Sequence, residues 1–484
     1  MIVSIVPELA IEELRNFAGG LGVLEGDKFY AAARLGVPYT VITLYYPEGY
    51  VSYREENGEL VPTAEGNVSE KLQLIGSSEL HVRGERVAVS YLGYRLGSAS
   101  AVFIRVDSPE WAVKATRRLY QEDTEAERFY KYLILARGAV DYVERYIGWD
   151  NVKFLDLQEA YTVLILFFKR HSRARLVIHT PAPWGHPTFH KRFFKDEFGF
   201  DMAMEPVILT ELGLAMASEG VVVSKKMVKL TCNTFPHHCH KIRPATNAVE
   251  VPRWEHPKLA NVGGLEEFKK AREEAKAEAL RALGIDASGK IVISWARRIT
   301  RYKRPHFALQ LIQDLDRDVV FILGGRAHPA DHYGIEIMAK FREVERSAEN
   351  VYYFPDLTPE VMKRIIWVSD LWLFTPFSGW EASGTSFMKA GINGVPSIAS
   401  RDGAVTELVK DGHNGWLFGE DRDRLLPLET PEIDEREYRE FRHKVEEALN
   451  AYTSGRYWEV AYNAYRTFRG FFSMDRLFRD LGYI

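Results

Sequence analysis

Apolar positions run along this chain in two rhythms. Short apolar runs predict strands at Ile2–Val6, Thr40–Tyr45, Leu80–Val82, Arg86–Leu92, Ala101–Val106, Lys153–Leu157 and Arg175–His179. Helical spacing predicts a helix from about Glu25 to Leu35 and another over Thr116–Tyr146. A charged amphipathic helix, Leu265–Leu283, precedes a second series of strands: Lys290–Ala296, Asp318–Leu323, Val351–Phe354, Leu371–Thr375 and Pro396–Ala399. Helices lie between them, including Pro359–Val368, where Thr358 can cap and Pro359 occupies the first turn. The stretch Asp434–Asp480 reads as helical and aromatic-rich. Strands alternating with helices predict doubly wound α/β structure in two halves joined near residues 248–262. The division expected is 1–255, 256–450 and a helical segment, 451–484, that packs back on the first half. The site is expected in the cleft where strand C-terminal ends from both halves meet.

Composition narrows the classes. The chain has 484 residues, too many for one typical core, and 46% hydrophobic with 27% charged residues describes a globular protein. A net charge of −4 argues against general nucleic-acid or membrane-surface binding. No long uncharged apolar span stands out, and Met1-Ile-Val-Ser-Ile-Val lacks a basic leader, so neither membrane anchor nor signal peptide is expected. Cys232 and Cys239 make no disulfide framework, which points to a reducing cytoplasm; the charge-rich, cysteine-poor balance suits a thermophile.

Four stretches carry candidate chemistry. In Glu381-Ala-Ser-Gly-Thr-Ser-Phe-Met-Lys389-Ala-Gly-Ile-Asn-Gly394, Thr385 and Ser386 are N-cap types. A helix starting there presents free N–H groups to an anion, with Lys389 on the face of Thr385. Phe17-Ala-Gly-Gly-Leu-Gly22 is a turn that lets backbone approach a phosphate or sugar, although a plain tight turn explains it equally. Arg297-Arg-Ile-Thr-Arg-Tyr-Lys-Arg304 places five cations in eight residues directly after a buried strand. There a phosphate clamp or a solvated basic loop is expected, Arg giving a fixed fork and Lys a mobile charge. Cys232-Asn-Thr-Phe-Pro-His-His-Cys-His240 matches no common zinc spacing, so no metal site is assigned; a loop with buried cysteine and a Cys232–Cys239 disulfide both stay open.

All of these but the Cys/His stretch, together with others along the chain, resemble the α-glucan (glycogen, maltodextrin) phosphorylase family, in its short bacterial and archaeal branch. EASGTSFMKAGING is similar to the family's EASGTSGMKAALNG, with Phe387 replacing a Gly or Asn. RRITRYKRP resembles KRIHEYKRQ, LQEAY resembles LNEGH with Tyr161 at the His position, and HTPAPWGH resembles HTPVPAGH. Thr246-Asn-Ala-Val-Glu-Val-Pro-Arg-Trp254 resembles the family's loop contacting glucose and cofactor, with Ala248 and Glu250 as departures. The resemblance implies two Rossmann-like domains facing across a cleft, the GT-B glycosyltransferase architecture. It implies pyridoxal phosphate held covalently by Lys389, near Gly384, Thr385, Ser386, Arg297 and Trp254. It implies catalytic roles for Lys389, Arg298, Lys303 and Glu381. Substrate contacts implied are Gly20, Leu21, Glu159, His179, Asn247, Tyr302 and Ser383. Reversible phosphorolysis of α-1,4-glucan to glucose 1-phosphate is then expected, in a cytoplasmic homodimer. A nucleotide-sugar glucosyltransferase of the glycogen-synthase type, suggested by Thr406–Gly415, and a non-catalytic glucan binder are the alternatives; a hydrolase lacks an evident pair of facing carboxylates.

Overall fold

The computed structural model describes residues 1–67, 70–287 and 289–484. Two sheets dominate. The first runs, edge to edge, Ile242–Pro244, Glu219–Val222, Ala174–Ile178, Phe154–Gln158, Ile2–Ile5, Tyr39–Leu44, Ala99–Ser108, Glu85–Leu96 and Gln73–Val82. Its first seven strands are parallel and the last two form an antiparallel extension. The second sheet runs Val351–Phe354, Val319–Gly324, Ile291–Ala296, Leu371–Phe374, Ser397–Ser400 and Trp416–Phe418, all parallel. In chain order that is 3-2-1-4-5-6, and the parallel part of the first sheet repeats the same reversal. Each sheet therefore has a topological switch point where two neighbouring strands send their connections to opposite faces. These points lie between Ile2–Ile5 and Phe154–Gln158, and between Ile291–Ala296 and Leu371–Phe374.

Alternation explains the second core. Ile293, Trp295, Phe321 and Leu373 pack on one face of that sheet, and Val292, Ala296, Ile322 and Phe374 on the other. Both faces are apolar because helices cover both. The C-terminal helix Met474–Asp480 returns to the first sheet, where Met474, Leu477, Phe478 and Tyr483 join its core.

Several elements differ from the expectation. The helix expected over Thr116–Tyr146 is two, Glu110–Thr116 and Glu125–Tyr142, the second capped by the Thr124 hydroxyl. The intervening loop carries Tyr120 in the left-handed region, at φ 57°. The first helix begins at Gly20 rather than near Glu25. The helix at Ser386–Ile392 starts where expected, but neither Thr385 nor Ser386 caps it through its side chain. The Thr385 hydroxyl instead accepts from Lys389, and the Ser386 hydroxyl from Trp372. Of the two open alternatives for Cys232 and Cys239, the structure shows the disulfide, with both cysteines partly exposed rather than buried. The Pro359–Val368 helix is as expected, with Thr358 accepting from the Val361 N–H. No described helix is long and apolar enough to cross a membrane.

Candidate active site

The two switch points face one cleft of about 560 Å³. The residues given catalytic, cofactor or substrate roles by the resemblance all line it: Gly20, Leu21, Glu159, His179, Asn247 and Trp254 from the first half, and Arg297, Arg298, Tyr302, Lys303, Glu381, Ser383, Gly384, Thr385, Ser386 and Lys389 from the second.

The basic loop divides its cations. Arg304 turns inward, with φ 49°, and donates to Glu437 and to the Thr375 and Pro376 carbonyls; Arg301 pairs with Asp434. These two anchor the loop. Arg297, Arg298 and Lys303 are left to the cleft, opposed by Glu381, which accepts from Arg297 Nη2 at 2.6 Å. Burial alone would raise the Glu381 carboxyl, but Arg297 and Lys303 outweigh it and hold it below the ordinary carboxylate value. Burial, then Arg297, pushes the Lys303 ammonium well below its ordinary range. Arg297 Nε and Nη1 and the Ser383 hydroxyl are buried without hydrogen-bond partners. Unsatisfied donors beside an excess of cations form a cradle for an anion.

The glycine turn meets this cradle from the other half. Glu8 accepts from the Ala18 and Gly19 N–H groups, which fixes the turn, and Tyr120 donates to the same carboxylate. The Gly20–Leu35 helix then starts at the cleft with the Arg298 side chain alongside Gly19. A Cβ on Gly20 would meet nothing within 4 Å, whereas one on Gly22 would strike Phe17 and Glu8. Packing therefore requires Gly22, while the open space at Gly20 belongs to the cleft.

Lys389 lies on the floor, 4% exposed, its Nζ 4.1 Å from the centre of the Trp254 ring. Trp254 donates to Asp27 at 2.8 Å, and Asp27 also accepts from Arg253. Asn393 donates to the carbonyls of Lys389 and Trp254 and ties the helix to this wall. Burial lowers the Lys389 amine to about 8, with Asp27 pulling the other way. Gly384 has φ 80°, and a Cβ there would sit 2.3 Å from the Phe374 ring, so glycine is required before this helix.

At the opposite wall, Glu159 holds φ 69° at its strand end, accepts from Thr180 through Oε1 and leaves Oε2 unpartnered. Burial raises its carboxyl to about 8, so it is a buried acid rather than a solvated helix-start carboxylate. His179 donates through Nε2 to Gln158 at 2.8 Å; burial and nearby Lys28 keep the imidazole neutral. Tyr161 stacks on Tyr132 with ring centres 4.1 Å apart.

Two of the departures from the family pattern have structural partners elsewhere in the fold. Phe387 is fully buried against Phe374, Phe468 and Phe472. Glu250 pairs with Arg34 at 2.5 Å. Sequence reading missed Glu8, Asp27, Tyr120 and Arg253; only the position of Glu8 just beyond the first strand signals a role at the cleft.

Residues 285–476 match the model of the carbohydrate phosphorylase family. The maltodextrin phosphorylase of Thermococcus litoralis is 25% identical over 87% of this chain, which spans 62% of that protein's length. The glycogen phosphorylase of Aquifex aeolicus is 25% identical over 87% of this chain and 76% of its own. The catalytic domain of starch synthase IV from Arabidopsis thaliana, bound to ADP and acarbose, superposes with a TM-score of 0.76 over all of this chain and 98% of that one, at 15% identity. That fold likeness establishes the two facing Rossmann-like domains of the GT-B architecture. With that fold, the chain is similar over most of its length to carbohydrate phosphorylases, the two named here coming from an archaeon and a bacterium.

Proposed function

We propose that this chain catalyses reversible phosphorolysis of α-1,4-glucans with retained configuration. The observation that carries the reading is Lys389: a buried amine with no carboxylate in ion-pair distance among the described residues, set under Trp254 in the same cleft as Arg297, Arg298 and Lys303. An amine lowered to about 8 is partly neutral near neutral pH and so able to attack a carbonyl. The unpartnered Arg297 donors and Ser383 hydroxyl fit an anionic group beside it. Pyridoxal phosphate would suit these residues: Lys389 would hold it, Trp254 would cover it, and Arg297 with the Gly384–Ser386 turn would take its phosphate. When bound, it supplies a phosphate monoester with a second pKa of about 6, able to exchange a proton near neutral pH.

The protein's own residues do the rest. Arg298, Lys303 and the Gly20 and Leu21 N–H groups hold inorganic phosphate against the terminal glucosyl unit. His179, Asn247, Tyr302, Glu159 and Ser383 orient the sugar, and Glu381 keeps Arg297 in place. The bond from C1 to the glucan oxygen breaks, a phosphate oxygen bonds to C1, and the phosphate proton passes to the departing glucan. The cations offset charge that shifts between the two oxygens.

The spectrum of the purified protein, followed by borohydride reduction and peptide mapping, tests the cofactor. A pyridoxyl adduct on Lys389 is expected; a folded protein that never acquires the chromophore after incubation with pyridoxal phosphate overturns it. Uptake should quicken as pH rises through about 8, where Lys389 loses its proton. Gly20→Ala checks the phosphate site. It should leave the fold intact, and about 0.4–1 kcal/mol more stable where alanine is tolerated, while raising the KM for phosphate about tenfold.

The second reading is transfer from a nucleotide sugar, favoured by the starch synthase bound to ADP. Arg298 and Lys303 would then hold the diphosphate. Turnover with glucose 1-phosphate but not with ADP-glucose or UDP-glucose decides for phosphorolysis.

A further inference from the structure

Trp184 is half exposed at the mouth of the cleft, in a protein whose other tryptophans outside this mouth are largely covered. It belongs to the Pro183–Gly185 turn, which continues directly from His179 and Thr180 on the cleft wall. That turn is firmly seated. The Gly185 backbone lies so close to Thr180 that a Cβ would come within 2.4 Å of it, and His186 shares a hydrogen bond with Thr210 at 2.9 Å.

The indole reaches across to the other half of the molecule. It stacks on Trp380 with ring centres 5.4 Å apart and 28° between planes, and lies 5.9 Å from the Tyr302 ring. Trp380 is fixed by its N–H bond to the Leu426 carbonyl and stands directly before Glu381. One face of Trp184 is thus occupied by the second half, and a gap of 5.4 Å between ring centres leaves no room for a sugar between the two indoles. Its exposed part remains, on the rim of the cleft. A large apolar surface at a polar cleft mouth is a binding feature rather than a packing one. Its chemistry is specific: the axial C–H groups of a pyranose ring form an apolar face that lies flat on an aromatic ring, while the hydroxyls at its rim stay in water.

We propose that Trp184, backed by Trp380, is an aromatic platform for glucosyl units beyond the bond being cleaved, and sets the preference for longer α-glucan chains. The family stretch similar to this turn has alanine at the position of Trp184, so the platform is a property of this chain. The inference rests on the phosphorolysis reading for its substrate.

The experiment compares wild type, Trp184→Ala and Trp184→Phe in phosphorolysis of maltotriose and maltoheptaose, with phosphate varied separately. Trp184→Ala should raise the KM for maltoheptaose about tenfold, leave that for maltotriose and for phosphate within about twofold, and keep kcat for maltoheptaose. Trp184→Phe should recover most of the loss, because a flat ring is restored. Maltoheptaose added without phosphate should quench tryptophan fluorescence in wild type, and quench it less in Trp184→Ala. If wild type turns over both glucans but Trp184→Ala shows an unchanged ratio between them, the platform is wrong and the phosphorolysis reading stands. A rise in KM for phosphate and both glucans together would mean a purely structural role and also overturn it. No turnover of any glucan by wild type would overturn the reading and the platform with it.

Discussion

Replacing Lys303 by methionine is expected to lower kcat/KM for inorganic phosphate about a thousandfold and, at the same time, to make the protein more resistant to heat. Both effects come from one arrangement. Lys303 shares the cleft with Arg297 and Arg298, and Glu381 is already engaged by Arg297 at 2.6 Å. Burial first, then the two guanidinium groups, push the lysine pKa well below its ordinary 10.5. The unfolded lysine keeps its proton up to about pH 10.5, whereas the folded one releases it at lower pH. Between those values the unfolded chain binds more protons, so this group's contribution to stability rises with pH. Below that window the folded protein carries the cost of a partly buried charge held beside two guanidinium groups. The gain from methionine should therefore be largest at low pH and fade toward pH 10.5. Thermal unfolding of both proteins across pH, beside steady-state kinetics, checks the pair. A variant less stable at every pH, or an unchanged phosphate dependence, would show that Lys303 is not held for an anion. A site that stores repulsion to bind its ligand is the expected trade of stability for activity.

How much of this could be read from residues alone follows from range. Strands and helices of the second half were legible because period and capping are local: Thr358-Pro359 fixes a helix start whatever packs on it. The stretches that line the cleft were legible because each is contiguous. What the sequence hid is the division of labour inside the basic loop. Arg304 and Lys303 are neighbours, yet one is fully buried against Glu437, 133 positions away, and the other faces the cleft. The Asp27–Trp254 pair that walls Lys389 spans 227 positions, and nothing local at Asp27 distinguishes it from any helix aspartate. Phe387 departs from the family motif inside a cleft-lining stretch, yet it is a core residue, its ring packed on Phe468 and Phe472. Thr385 and Ser386 are cap types whose hydroxyls are spent on Lys389 and Trp372, contacts that only the fold brings about.

The largest loss of stability should come from a residue outside the cleft. Asp156 sits in the buried strand Phe154–Gln158 and accepts from Arg175 through both oxygens, at 2.6 and 2.7 Å, with both side chains 1% exposed. The Tyr483 hydroxyl donates to the same carboxylate, and Arg175 donates to the Leu481 carbonyl at 2.7 Å. This cluster fastens the chain's last residues to the first sheet. Asp156→Ala leaves a guanidinium buried without its anion, and should cost about 3–5 kcal/mol. Tyr483→Phe removes only one hydrogen bond, and should cost about 1 kcal/mol. Asp156→Ala with Arg175→Met removes both charges and should recover much of the loss. Denaturant unfolding of the three variants measures the series; equal effects of Asp156→Ala alone and combined with Arg175→Met would refute the unpaired-charge account. The consequence reaches the cleft through the tail. Arg476, in the helix Met474–Asp480, donates to the Thr246 and Asn247 carbonyls at 2.6 and 3.0 Å. Asn247 lines the cleft, so a tail loosened at Asp156 should raise the KM for glucan in Asp156→Ala even under conditions where the protein remains folded. A buried ion pair in the middle of a strand thus sets the position of a loop that lines the cleft, because the chain's return to its first sheet is what holds that loop in place.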